Sequence, residues 1–179
     1  LSACLLATEA PVLLVPAMND RMWANRQTQQ NVKHLRELGH RVIEPDEGAL
    51  AAGEGSGPGR MPEPETILAH VGRMLETNGA FRGRHVVVTA GPTREPVDPV
   101  RFLSNRSTGK MGVAIASAAW RRGARVSLVA GPLEVPVPPG VDVRTVETTE
   151  EMATAVRAAL PQADALVMAA APADFGAAE

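Results

Sequence analysis

Short unbroken apolar runs alternate along this chain with segments whose apolar residues recur every three or four positions. Ala10 to Met18, "APVLLVPAM", is a short apolar run of the kind that forms a buried strand. In "TQQNVKHLRELG", Val32, Leu35 and Leu38 share one helical face, and Gly39 supplies a glycine stop. "HRVIEP" is the next strand. Glu47 to Pro64 holds five glycines and three prolines, so it cannot be a helix interior and reads as a mobile loop. "ETILAHVGRMLE" then places Ile67, Leu68, Val71, Met74 and Leu75 on an amphipathic helix.

The polar, glycine-bearing stretch Thr77 to Arg84 marks a domain boundary. Beyond it the alternation resumes. "HVVVTAG" is a strand, and "TGKMGVAIASAAWRRGA" is a helix rich in small residues, suited to close packing on a sheet. "RVSLVAG" and "VDVRTVE" are strands. Thr148 followed three residues later by Glu151 forms a capping box that opens a helix, and "ADALVMAAA" is a buried strand. Short buried strands alternating with helices predict an α/β fold with a parallel sheet in each half. The halves divide as residues 1–78 and 79–179.

Composition narrows the classes. Hydrophobic residues make up 45% of the 179, enough for a substantial core, and the net charge is −2 with no basic run. That charge argues against nucleic acid as a partner. No apolar run approaches the roughly 20 residues of a membrane span. The single cysteine, Cys4, leaves no internal disulfide and fits a reducing compartment. As a small apolar side chain it is expected to be buried rather than reactive. His34, His40, His70 and His85 show no metal-ligand spacing, and no metal residue is assigned.

Ligands of parallel sheets bind beyond the carboxyl ends of the strands, which singles out three polar loops. In "PAMNDRMW" the amide of Asn19 can donate and accept, a suitable contact for a carboxylate or a flavin ring. The local pattern favours the simpler role, a turn in which Asn19 caps the next helix. In "VTAGPTREPVDPVRFLSNRSTGKMG", the segment Ser107, Thr108, Gly109, Lys110 presents hydroxyls, a lysine and backbone N–H groups at a helix N-terminus. That is an arrangement for phosphate. Neither a Walker A loop nor a Gly-x-Gly-x-x-Gly fingerprint is present. Arg94, Arg101, Arg106 and Lys110 together favour an anion site over a merely capped helix. In "AAAPADF" small residues permit close approach of a ring or ribose. Asp174 either binds it or caps a helix, and the pattern does not choose.

Together "PAMNDRMW", "GPGRMPEP", the long central motif and "AAAPADF" resemble the family of phosphopantothenoylcysteine decarboxylase fused to phosphopantothenate–cysteine ligase, in the right order and over almost the whole chain. The resemblance implies a partial flavodoxin-like decarboxylase unit using FMN, followed by a partial Rossmann-like ligase unit. The ligase would use CTP and Mg2+ to join 4′-phosphopantothenate to cysteine through an acyl-cytidylate. The decarboxylase would convert the product to 4′-phosphopantetheine. It further implies a cytoplasmic homo-oligomer. By motif match, Asn19 would contact the substrate carboxylate near FMN, and Asn105 would assist conversion of the acyl-cytidylate. Met168, Ala169 and Ala170 would line the CTP site through their backbone, and Asp174 would hold the nucleotide.

Two departures from the family pattern stand out. The family's flap reads Cys-Gly-x-x-Gly-x-Gly-Arg-Met, its cysteine donating a proton. Here the stretch is "LAAGEGSGPGRM", which puts Gly53 at that position, or Ala52 with one insertion, with Glu54 nearby. The family's decarboxylase histidine and FMN phosphate loop are expected upstream of Leu1, and its nucleotide-binding lysines downstream of Glu179. The expectation is therefore a segment incomplete for both activities. A non-catalytic nucleotide- or flavin-binding module on the same scaffold is the alternative.

Overall fold

The computed structural model describes residues 2–51, 55–76 and 78–176. Ala52, Gly53 and Glu54, the flap positions compared above, lie outside the described residues, as does Thr77 of the expected boundary. The chain divides into two compact units, Leu1–Met74 and Leu75–Glu179.

The first unit begins with α1 (Ser2–Ala7), on which Cys4 is exposed, against the expectation of burial. The helix has only six residues, and Leu6 on it is also 89% exposed. β1 (Leu13–Leu14) follows. Its ordered pairing is shorter than the apolar run, because Pro11 and Pro16 on either side have no N–H to give a ladder. α2 (Asp20–Ala24) and α3 (Arg26–Glu37) come next, capped by the side-chain carbonyls of Asn19 and Asn25. Gly39, at φ +90°, ends the turn after α3. β2 (Arg41–Val42) then pairs in parallel with β1. Trp23, Val32, Ile43 and Pro62 are among the buried side chains of this unit.

The glycine-rich stretch expected to be a loop is instead a hairpin. β3 (Asp46–Ala49) runs antiparallel to β4 (Ser56–Arg60). Its glycines permit a close approach that side chains would block. A Cβ on Gly59 would lie 2.0 Å from the carbonyl oxygen of Met18, and the Met18 N–H donates to the Gly59 carbonyl at 2.9 Å. α4 (Pro64–Leu75) opens with proline at its first position, where no N–H is needed.

The second unit is built on a four-stranded parallel sheet. Its strands are β5 (His85–Ala90), β8 (Arg125–Ala130), β9 (Asp142–Thr145) and β10 (Ala165–Met168), in the order β10-β5-β8-β9. All six residues of β5 are buried, as a strand covered on both faces requires. α5 (Lys110–Arg121) lies against the Ala90 side, so close that a Cβ on Gly112 would sit 2.5 Å from the Ala90 Cβ. α6 (Thr149–Ala159) covers the opposite face, where Met152, Ala155 and Val156 pack on Val87 and Val129. Its capping box forms as the sequence predicts: Thr148 Oγ1 accepts from Glu151 N–H, and the Glu151 carboxylate accepts from Thr148 N–H. A short hairpin, β6 (Arg94–Pro96) with β7 (Phe102–Ser104), occupies the long motif that the sequence leaves as a loop.

Candidate functional site

In the first unit, Asn19 stands beyond the carboxyl end of β1. Its Oδ1 accepts from Arg21 N–H at 2.9 Å, so the capping role is real. Among the described residues no hydrogen bond from its Nδ2 is seen. The β3–β4 hairpin packs over the same loop through Gly59 and through Gly57, whose Cβ would meet Asp20 at 3.1 Å. The "PAMN" and "GPGRM" motifs are therefore neighbours in space. At this loop the Asn19 side-chain amide is the group placed for a flavin, and the described residues around it do not complete a flavin site.

In the second unit three loops leave the carboxyl ends of β5, β8 and β10 and are tied together. The segment after β10 is carried onward by threonine hydroxyls. Thr89 Oγ1 accepts from the N–H groups of both Ala169 and Ala170 at 3.1 Å. Ala171 N–H donates to the Gly91 carbonyl at 2.8 Å, and Ala173 N–H to Thr93 Oγ1 at 2.8 Å. Thr89 and Thr93 are wholly buried. Met168, Ala169 and Ala170 thus run beside "TAGPT" with their backbone held in place. Asp174 is exposed at the end of this segment and caps no helix among the described residues.

Asn105, just after β7, reaches the same segment. Its Nδ2 donates to the Pro172 carbonyl at 2.8 Å, with a longer contact to that of Ala171 at 3.4 Å. Ser107, Thr108, Gly109 and Lys110 follow. Gly109 is the N-cap of α5 at φ +74°, with no side chain capping the helix. A Cβ there would lie 2.2 Å from Leu133 Cδ2. Thr108 Oγ1 approaches Lys110 N–H only at 3.4 Å. The positive end of α5 stands against Gly91, whose carbonyl accepts from Ala171, so the helix start with its exposed Lys110 adjoins the segment that Asn105 reaches.

The arginines contribute less than their density suggests. Arg101 is committed to Asp98, Nε to Oδ2 at 2.6 Å. The Val100 N–H leads the groups that hold the Asp98 carboxyl below its ordinary range, followed by the Arg101 side chain and N–H. Arg94 lies over the Phe102 ring, 4.6 Å from its centroid. A cavity of about 690 Å3 opens beyond β8 and β9, walled by Arg94, Leu133, Val135, Val146 and Glu147. Of the residues that the sequence points to for ligands, Arg94 alone lines it. Among the described residues no group of three His, Cys, Asp or Glu side chains is placed to hold a metal ion. No helix among them is long and apolar enough to cross a membrane. The sequence reading missed Thr89 and Thr93. Their only signal was a hydroxyl ending an otherwise apolar strand, and another just past Gly-Pro.

Residues 81–179 match the DNA/pantothenate metabolism flavoprotein C-terminal domain, and residues 1–76 match the Flavoprotein family. The coenzyme A biosynthesis bifunctional protein CoaBC of Escherichia coli (strain K12) is 46% identical over 177 residues, 99% of this chain and 43% of that protein. The protein of the same name from Mycobacterium tuberculosis (strain ATCC 25618 / H37Rv) is 48% identical over 180 residues, 98% of this chain and 43% of that one. A crystal structure of the C-terminal domain of a CoaBC protein superposes with a TM-score of 0.51 at 40% identity, covering 55% of this chain and 52% of that one. The chain spans less than half the length of the curated relatives it matches.

Proposed function

This chain belongs to the DNA/pantothenate metabolism flavoprotein family, and on that premise we propose that it is part of a bifunctional enzyme of coenzyme A biosynthesis. Its second unit, Leu75–Glu179, carries part of a CTP-dependent ligase joining 4′-phosphopantothenate to cysteine. Its first, Leu1–Met74, carries part of the decarboxylase acting on that product with FMN. The observation that carries the reading is the meeting of Asn105, the α5 N-terminus and residues 169–174 at one mouth of the parallel sheet. The setting is cytoplasmic, and the complete protein is a homo-oligomer.

The ligation has two steps. The 4′-phosphopantothenate carboxylate attacks the α-phosphorus of CTP, and pyrophosphate leaves. The cysteine amine then attacks the acyl carbon, and CMP leaves with the bonding electrons. The uncapped N–H groups of α5, with Lys110, suit an anionic phosphate. The hydroxyls of Ser107 and Thr108 add donors. Backbone groups of Met168, Ala169 and Ala170 suit the flat nucleotide, and Asp174 accepts from it. Mg2+ would ride on the phosphates of CTP rather than on a protein cage.

Asn105 is uncharged, so its amide suits orientation of the acyl-phosphate and its developing oxyanion, worth about 3–4 kcal/mol at comparable sites. In the complete gene product, Asn105→Ala should leave activation by CTP largely intact and slow cysteine attack, so that acyl-cytidylate builds up. Asp174→Ala should weaken CTP binding and slow both steps. Rapid-quench assays with labelled CTP distinguish the two. Loss of CTP binding in Asn105→Ala with normal binding in Asp174→Ala would reverse the assignments.

A further inference from the structure

The hydrogen bonds around Thr93 have one consistent direction. Glu95 Oε1 accepts from both the N–H and the hydroxyl of Thr149, each at 2.8 Å. That uses the Thr149 hydroxyl proton, on which the Ala173 carbonyl at 3.5 Å is the weaker claim. A hydroxyl has one proton to give, so the 2.9 Å contact between Thr93 Oγ1 and Thr149 Oγ1 runs with Thr93 as donor. The remaining capacity of Thr93 Oγ1 is filled by Ala173 N–H at 2.8 Å. The chain therefore reads Ala173 N–H to Thr93, Thr93 to Thr149, Thr149 to the Glu95 carboxylate. Burial pushes the Glu95 carboxyl up, but the bonds it accepts, the Thr149 N–H and hydroxyl foremost, outweigh burial and hold it below its ordinary range. The terminal acceptor is thus ionised at neutral pH. Separately, the Thr93 carbonyl accepts from Ser104 Oγ at 2.6 Å.

One buried residue thereby joins the β6–β7 hairpin, the start of α6 and the segment after β10. We propose that Thr93, backed by Thr149 and Glu95, is a positioning residue for the nucleotide segment. By fixing Ala173 it sets where the adjoining Asp174 stands and where Pro172 presents its carbonyl to Asn105. The inference rests on the reading of residues 168–174 as nucleotide-binding.

The test uses the complete gene product and two separate readouts, hydrogen exchange at the Ala173 amide and CTP affinity by calorimetry. Thr93→Val keeps the shape and removes the hydroxyl, whereas Thr93→Ser keeps the hydroxyl and removes the methyl. Thr93→Val should lower Ala173 protection and CTP affinity about tenfold each, the scale of one lost buried hydrogen bond. Thr93→Ser should recover most of both, and protection of Val87 and Val88 in the central strand should hold in each variant. Thr149→Val, at a half-buried site, should weaken CTP as Thr93→Val does, and it carries the test if Thr93→Val fails to fold. Unchanged Ala173 protection and CTP affinity in Thr93→Val would overturn the proposal. So would a fall in Thr93→Ser as deep as in Thr93→Val. If the unaltered protein gives no CTP heat, it is the nucleotide reading that has failed, and Ala173 exchange still decides whether Thr93 places the segment.

Discussion

At the scale of single residues, Gly112 sets two effects against each other. It lies inside α5, where replacing glycine with alanine ordinarily stabilises by about 1 kcal/mol. Here the new Cβ would meet Ala90 Cβ at 2.5 Å and the Thr89 carbonyl oxygen at 2.7 Å. Neither neighbour can swing aside, because both belong to the central strand. Overpacking of this kind costs about 1–3 kcal/mol, so Gly112→Ala should lower the urea midpoint of the second unit. A rise in that midpoint would show that the helix stands off from the sheet. This close approach was partly legible in the sequence, since small residues crowd that helix. The role of Thr93 was not, because its partners Thr149 and Ala173 lie 56 and 80 positions away. Arg101 was not legible as a committed charge either: it turns back onto Asp98, three residues before it.

At the scale of elements, the two strands that start side by side at the amino end of the second sheet are tied by Asp164. Its carboxylate accepts from the His85 N–H and from Arg84 Nη1, each at 2.8 Å. The His85 N–H first, and then Arg84, hold the Asp164 carboxyl below its ordinary value of 3.8. In the unfolded chain the group returns to that value. The stability it adds is therefore fully present above about pH 3.8 and is lost as pH falls through the folded value below it. Asp164→Asn should lower the thermal midpoint at neutral pH, and its gap from the unaltered protein should narrow below about pH 4. A gap that stays constant into stronger acid would mean that the ionised carboxylate contributes nothing. Elements with simple rhythms were the most legible: the buried run of β5, the stripe of α3 and the Thr148–Glu151 box. The hairpins β3–β4 and β6–β7 were hidden because glycine and proline signal a break in helix. They do not say whether the broken chain pairs with itself.

At the scale of the whole molecule, the proposed nucleotide chemistry rests on family membership, the parallel sheets and the shared mouth in the second unit. A dinucleotide reductase built on a similar sheet would need the glycine fingerprint that is absent after β5. The most direct measurement is calorimetric titration of CTP and of NADPH into the complete gene product, with Asp174→Ala alongside. The account predicts one CTP per chain, no NADPH heat, and CTP binding weakened about tenfold or more in Asp174→Ala, as expected when a charged hydrogen-bonding partner is lost. Tight binding of NADPH, or CTP binding that Asp174→Ala leaves untouched, would contradict it.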